Sequence, residues 1–218
     1  MSEQNHSMME ATNNSKRLPL TAEQKQRRAE RARLLKSLVY EMWDGKPVYY
    51  AGYEDVLNGI KTVEQVMSSS ILQSRLVVRI SAYLLSVLNL DVYDVLGNEL
   101  GIQFDKGDWR ACDVAIFELT TLEGQDETKY AWVPPKIAIE VDTKADMSQF
   151  DSDFEYYERK TTKLLQFGTE KVIWLFTKSR KVWIAEPNKD WIIRDWSQVV
   201  DVLPGCQFVP EELVKKKK

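Results

Sequence analysis

Two short apolar runs carry acidic residues where acid is expensive to keep. Asp113 stands in Cys112-Asp113-Val114-Ala115-Ile116-Phe117. Glu140 stands in Lys136-Ile137-Ala138-Ile139-Glu140-Val141, with Asp142 and Lys144 close behind. Both runs read as buried strands, and an unpaired carboxylate there costs stability. A divalent cation held between two carboxylates is one solution, and it points to phosphodiester hydrolysis. Neutralisation by backbone amides or lysines is the other, and the runs alone leave both open. Two lysines could serve a metal site by polarising the attacking water and offsetting charge on the phosphate. Lys144 fits a literal D-x-K spacing after Asp142, and Lys160 follows further along the chain.

The rest of the composition narrows the chemistry. His6 is the single histidine and lies in the polar N-terminal stretch. A Ser-His-Asp triad, a Cys-His pair and a two-histidine zinc site are therefore not expected. Cys112 and Cys206 are the only cysteines and lack metal-ligand spacing. Any hydrolysis must run on carboxylates, lysine and an oxygen-loving metal. The length of 218 residues, 44% hydrophobic content and seven tryptophans fit one domain with a tail. The absence of a long apolar run predicts no membrane association, and the polar first 16 residues predict a cytoplasmic location.

Net charge is −3, but its distribution is uneven. Lys25, Arg27, Arg28, Arg31, Arg33 and Lys36 face only Glu23 and Glu30, and Lys215 to Lys218 close the sequence. Each basic segment reads either as a solvated surface or as a phosphate-attracting arm.

The elements that must position these residues follow from pattern. Residues 1–20 are polar and predicted disordered. A basic helix is predicted over 21–38, with Thr21 and Gln24 as a capping box. The main domain is predicted over 39–214, with 215–218 as a basic tail. Val39 to Tyr50 alternates about Asp44-Gly45 as a hairpin. Short helices are expected at Tyr53 to Leu57 and Thr62 to Met67. Ser70 to Leu88 forms a longer helix with Leu72, Leu76, Ile80, Tyr83, Leu84 and Val87 on one face. Strands are expected at Asp91 to Leu96 and Leu100 to Phe104, flanking Gly97-Asn98-Glu99, then at Ala111 to Leu119. A polar connection, Thr120 to Val133, leads to a strand over Pro135 to Thr143. Phe150 to Gly168 reads as a helix ending on glycine. Strands follow at Lys171 to Thr177 and Val182 to Glu186, with an edge strand at Trp191 to Ile193. The remainder is expected to wrap the surface. The order predicts an α/β fold, a mixed central sheet flanked by helices.

Strand alternation predicts that Glu140, Asp142 and Lys144 share one face and Ile137, Ile139 and Val141 the other. Asp113, between Ala111 and Ala115, has room for a ligand. Asp113 and Glu140 could then hold one hard cation, with Asp142 as a further carboxylate and a carbonyl and waters completing the shell. Lys160 falls at the border of a helical stripe of Phe150, Phe154, Tyr157, Leu164 and Leu165. There it either reaches over the sheet edge or snorkels at the surface.

Taken in order, these segments resemble the Uma2 family, formerly a domain of unknown function, of the PD-(D/E)xK nuclease superfamily. The resemblance runs over about Tyr49 to Phe208. Ser69 to Leu84 resembles the opening helix, and Cys112-Asp113-Val114-Ala115 the Pro-Asp-Val-Ala strand. Pro134 to Val141 resembles the Pro-x-hydrophobic-Glu-Val strand. Lys160, Phe167-Gly168 and Lys171 to Trp174 resemble the K-x7-G-V-x-x-x-W segment. Cys112 replaces the family's proline, and Gln73 stands where many members carry histidine or an acid. The resemblance implies a restriction-endonuclease-like core, with Asp113 and Glu140 binding Mg2+, or Mn2+ in its place. It implies Lys160 as a displaced catalytic lysine, with Lys144 the alternative. The implied activity is a Mg2+-dependent DNA endonuclease, with DNA as partner and pairing into a homodimer as the superfamily often does. Two other readings stay open: a nucleic-acid-binding or regulatory protein that cleaves poorly, and a structural partner in a multi-protein system.

Overall fold

The computed structural model describes residues 19–215. The expectation of disorder at the N-terminus falls mostly outside them, as do three of the four closing lysines. Helix α1, Ala22–Ser37, opens on the expected capping box, with Thr21 and Gln24 bonded reciprocally. None of its residues is buried. Strands β1, Val39–Trp43, and β2, Lys46–Tyr49, form the expected hairpin. Its turn residues Asp44 and Gly45 both take positive φ, which matches the twist of a tight hairpin. Short helices α2, Tyr53–Leu57, and α3, Val63–Met67, lead to α4, Ile71–Val87, capped by Ser70.

One expected turn is absent. Gly97-Asn98-Glu99 does not separate two strands; it lies inside one long strand, β3, Tyr93–Asp105. Turn-forming residues there make a bulge instead. The tight turn comes later, at Lys106-Gly107, and leads into β4, Asp108–Glu118. A one-turn helix, α5, Leu119–Leu122, precedes β5, Ile137–Val141. A 3-10 turn at Met147–Gln149 leads to α6, Asp153–Phe167, which ends on Gly168 at φ 123°. Strands β6, Lys171–Phe176, β7, Lys181–Ala185, and β8, Ile192–Asp195, follow. A hairpin of β9, Val200–Leu203, and β10, Cys206–Phe208, precedes α7, Pro210–Val214.

The main sheet has eight strands in the order β2-β1-β4-β5-β6-β7-β8, with β3 on the other edge of β4. The pair β5–β6 is parallel, joined through α6, and the rest are antiparallel. This is the expected mixed α/β sheet flanked by helices. Two apolar layers cover it. Leu76, Ile80 and Leu84 of α4 pack on Val114, Ile139, Val141 and Ile173. Tyr156 and Leu164 of α6 pack on Ala115, Ala138, Val172 and Trp174 opposite. Alternation along β4, β5 and β6 supplies both layers, because neighbouring residues point to opposite faces.

The C-terminal segment differs from expectation. It does not merely wrap the surface: Trp196, Val200, Val202, Cys206 and Phe208 are buried in the α4 layer. Tyr83 donates to the Gln207 carbonyl at 2.5 Å, and Arg79 donates to the Leu213 carbonyl at 2.5 Å. The expected apolar residues of α4 thus find their cover partly in the last strands of the chain.

Candidate active site

The site forms where β4 loses its regular neighbours. One edge of β4 pairs with β5 only at Val114, Ala115 and Ile116, and with β1 only at Trp109. Between these points the strand edge opens into a fork. On its other edge, Gly97 pairs with Val114 and Leu100 with Cys112. Asn98 and Glu99 therefore stand opposite the single residue Asp113, a two-against-one bulge. Asp113 is released from regular pairing on both sides.

Backbone amides at the fork still need acceptors. Carboxylates supply them. Asp113 Oδ2 accepts from the Val141 amide at 2.7 Å, and Glu41 Oε1 accepts from the Ala111 amide at 3.1 Å. The carbonyl of Val141 in turn accepts from Gln73 Nε2 at 2.8 Å. Asp113 and Glu140 stand on adjacent antiparallel strands, each one residue beyond the last paired position, Val114 with Ile139.

Glu140 belongs to a sealed group. Lys160 Nζ lies 2.9 Å from Glu41 Oε1 and 3.0 Å from Glu140 Oε1, and all three residues are at most 1% exposed. The ammonium also sits 5.4 Å from the Trp174 ring centroid. Glu41 Oε2 accepts from Trp43 Nε1 at 2.8 Å and from the Tyr156 hydroxyl at 3.1 Å. Burial alone would push the Lys160 ammonium down, but the Glu140 and Glu41 carboxylates outweigh it and hold it well above its ordinary range. Burial pushes Glu140 up, the Lys160 charge opposes this, and the charges of Asp113 and Glu41 add to the rise.

These contacts correct the placement of Lys160. It neither reaches over the sheet edge nor snorkels; it is fully enclosed beneath α6. Helical periodicity put it at the border of the apolar stripe, and two buried carboxylates drew that border inward.

Asp113 borders open space. It lines a cleft of about 670 Å3 with Ser69, Ser74, Ser81, Glu99 and Lys144. Burial pushes its carboxyl up to about 6, the Val141 amide and the Lys160 charge hold it down, and the Glu99 charge raises it. Lys144 pairs with Glu99, whose other oxygen accepts from the Tyr50 hydroxyl at 3.4 Å.

Asp142 and Lys144 do not share the face of Glu140. Strand β5 stops at Val141, and Asp142 takes φ 57°, which ends the alternation. The Asp142 carboxylate accepts from the Thr177 amide at 2.8 Å and the Thr177 hydroxyl at 2.6 Å. It pairs neither with Lys144 nor with the other two carboxylates. Among the described residues, no three His, Cys, Asp or Glu side chains gather as a metal-binding group. The three-carboxylate set of Asp113, Glu140 and Asp142 is therefore corrected to a pair.

Glu140 spends Oε1 on the Lys160 ammonium, and Asp113 uses only Oδ2 in its bond to Val141. Asp113 and Glu140 each keep one oxygen outside these contacts, the donor type that a hard cation takes. Mg2+ commonly takes one or two carboxylates and keeps waters in the remaining positions. The nearby Val141 carbonyl is already occupied by Gln73.

No family model matches the chain, and no curated protein matches it. A crystal structure from Anabaena variabilis ATCC 29413, described as "a putative nuclease belonging to DUF820", is similar in fold. It superposes with a TM-score of 0.54 at 14% identity, covering 66% of this chain and 81% of the other. At that identity the likeness establishes the nuclease-like fold.

Proposed function

We propose that this protein is a metal-dependent endonuclease that hydrolyses DNA phosphodiester bonds, with Asp113 and Glu140 holding Mg2+ or Mn2+. The observation that carries the reading is the fork at β4. It leaves two carboxylates at the open ends of adjacent strands, each one residue past the last paired position and one on an open cleft, in a nuclease-like fold. A bound ion would neutralise charge on the phosphate and make a coordinated water more acidic. The chain's own groups do the remaining work. Lys160 fixes the Glu140 carboxylate between sheet and helix. Gln73 holds the end of β5 in place through the Val141 carbonyl. Lys144, in the cleft beside Asp113, meets a phosphate oxygen. Its accessibility favours it over the enclosed Lys160 for this contact. A cytoplasmic location and pairing into a dimer for two-strand cleavage belong to the same reading.

Titration calorimetry with Mg2+ and Mn2+, together with plasmid cleavage, tests it. Binding and nicking are expected in the parent and absent in Asp113→Ala. No metal-dependent cleavage and no metal binding in a folded parent would overturn it.

The complete enclosure of Lys160 and Glu140 favours a second reading. A protein whose buried triad stabilises the fold would bind nucleic acid without turnover. DNA binding with no cleavage in either metal is its signature.

A further inference from the structure

The bulge of β3 puts a charged residue where the backbone favours glycine. Asn98 and Glu99 have φ of 63° and 56°. Asparagine tolerates this left-handed region; glutamate gains nothing from it and has a Cβ to accommodate. Glycine stands on either flank, at Gly97 and one residue past Leu100 at Gly101, yet not at the strained position itself. The side chain of Glu99 must therefore matter. It reaches Lys144 through one oxygen and the Tyr50 hydroxyl through the other. The Lys144 backbone is fixed independently: its carbonyl accepts from the Ala51 amide at 2.7 Å, next to a bridge between Tyr50 and Ala145. A long flexible lysine is thus held at both ends. Its ammonium stays in the cleft that Asp113 lines, with Ser69, Ser74 and Ser81 along the same wall.

We infer that Glu99 is a positioning residue, presented by a strained bulge to hold the Lys144 ammonium in the cleft for a backbone phosphate of nucleic acid. The inference deepens the proposed nuclease reading and rests on it for its catalytic consequence. Its binding consequence stands apart from turnover. A fixed ammonium loses little freedom when it meets a phosphate, whereas a free lysine must first be ordered.

Two measurements separate the inference from the reading beneath it. The first is acetylation of Lys144, followed by mass spectrometry with and without a short DNA duplex. In the parent, Lys144 should react slowly and be protected further by DNA. In Glu99→Gln it should react several-fold faster, and DNA should no longer protect it. The second is single-turnover cleavage. Glu99→Gln should slow the cleavage step about tenfold or more even at saturating DNA, and the double variant with Lys144→Met should be no slower than Lys144→Met alone. Glu99→Gly serves as the folding control. It relieves the left-handed backbone and should melt at or near the parent temperature while showing the same losses. Parent protein that fails to cleave, yet shows DNA protection of Lys144 that Glu99→Gln removes, would sink the nuclease reading and leave the positioning role standing. Unchanged acetylation and unchanged DNA protection in Glu99→Gln would overturn the positioning role, whatever the cleavage rate.

Discussion

Two lysines in this protein each meet carboxylates, and their surroundings could hardly differ more. Lys160 lies between Glu41 and Glu140 with all three groups sealed from water. Lys144 pairs with Glu99 at the edge of a cleft that Asp113 also lines. The charges are of the same kind, but the dielectric is not. In the sealed group, removing one partner strands a charge, so the triad is bound up with stability. At the cleft Lys144 is 11% exposed and Glu99 33%, so water reaches the group left behind and a change there costs the fold less. Asp113 and Glu140 stand at the join between the two environments, one facing each.

The sharpest way to break this contrast is to remove the buried cation. Lys160→Met keeps most of the apolar stem but leaves Glu41 and Glu140 without their counter-ion. It should lower stability by about 3–5 kcal/mol in urea unfolding. A variant that unfolds at the parent midpoint and still cleaves at the parent rate would show that the triad is neither structural nor catalytic.

Next in size is the matching change at the cleft. Lys144→Met should cost clearly less, about 1–2 kcal/mol. It should slow single-turnover cleavage by roughly 10²-fold, as expected for losing a positioned charge-stabilising donor. A large loss of stability with unchanged cleavage would reverse the roles assigned to the two lysines.

Asp113 sharpens the comparison through pH. Its carboxyl rises to about 6 in the folded protein, above the value of about 4 for a free aspartate. The folded state thus holds this proton more tightly than the unfolded chain does. Below about pH 4 both states are protonated and nothing is lost. Between about pH 4 and 6 the unfolded chain ionises first and stability falls, levelling off above 6 where the folded state also carries a poorly solvated charge. Asp113→Asn should therefore stabilise the metal-free protein by about 1–2 kcal/mol at pH 7, and by nearly nothing at pH 4. Denaturant midpoints at both values check this, and a stabilisation independent of pH would contradict it.

The smallest effect concerns α1. No residue of this helix is buried, and Arg31 bonding to the Leu57 carbonyl at 3.0 Å is its main polar tie to the body. Removing residues 1–36 should leave the melting temperature within a degree or two. If the basic residues meet phosphates, it should also flatten the salt dependence of DNA binding. Unchanged salt dependence would return the helix to a solvated surface.

Much of the site was legible because burial leaves a mark on sequence. Asp113 and Glu140 announced themselves as acids inside apolar runs. Glu41 carries the same signal, between Tyr40 and Met42-Trp43, but the hairpin reading of that segment hid it. Glu99 was hidden for another reason. Gly97-Asn98-Glu99 has the chemistry of a tight turn, and a bulge asks for the same backbone conformations. Only pairing with β4 distinguishes the two. The depth of Lys160 and the fate of Asp142 were beyond local pattern as well. One depends on Glu41, more than a hundred positions away in the chain, and the other on where β5 stops. Gln73 was noticed only for what it replaces; its bond to Val141 gives it a role of its own.

The last strands of the chain bear on how the protein is made. Helix α4 supplies one wall of the cleft, yet its inner face is shared with Trp196, Val200, Val202 and Phe208. During synthesis these residues emerge well after α4 and the central strands. Until they do, α4 has apolar surface without its full cover and Tyr83 lacks the Gln207 carbonyl. The wall of the cleft is therefore completed only once β9 and β10 have been made. A nascent chain already carrying Asp113, Glu140 and both lysines would still lack a finished cleft, and any activity the site has would wait for β9 and β10.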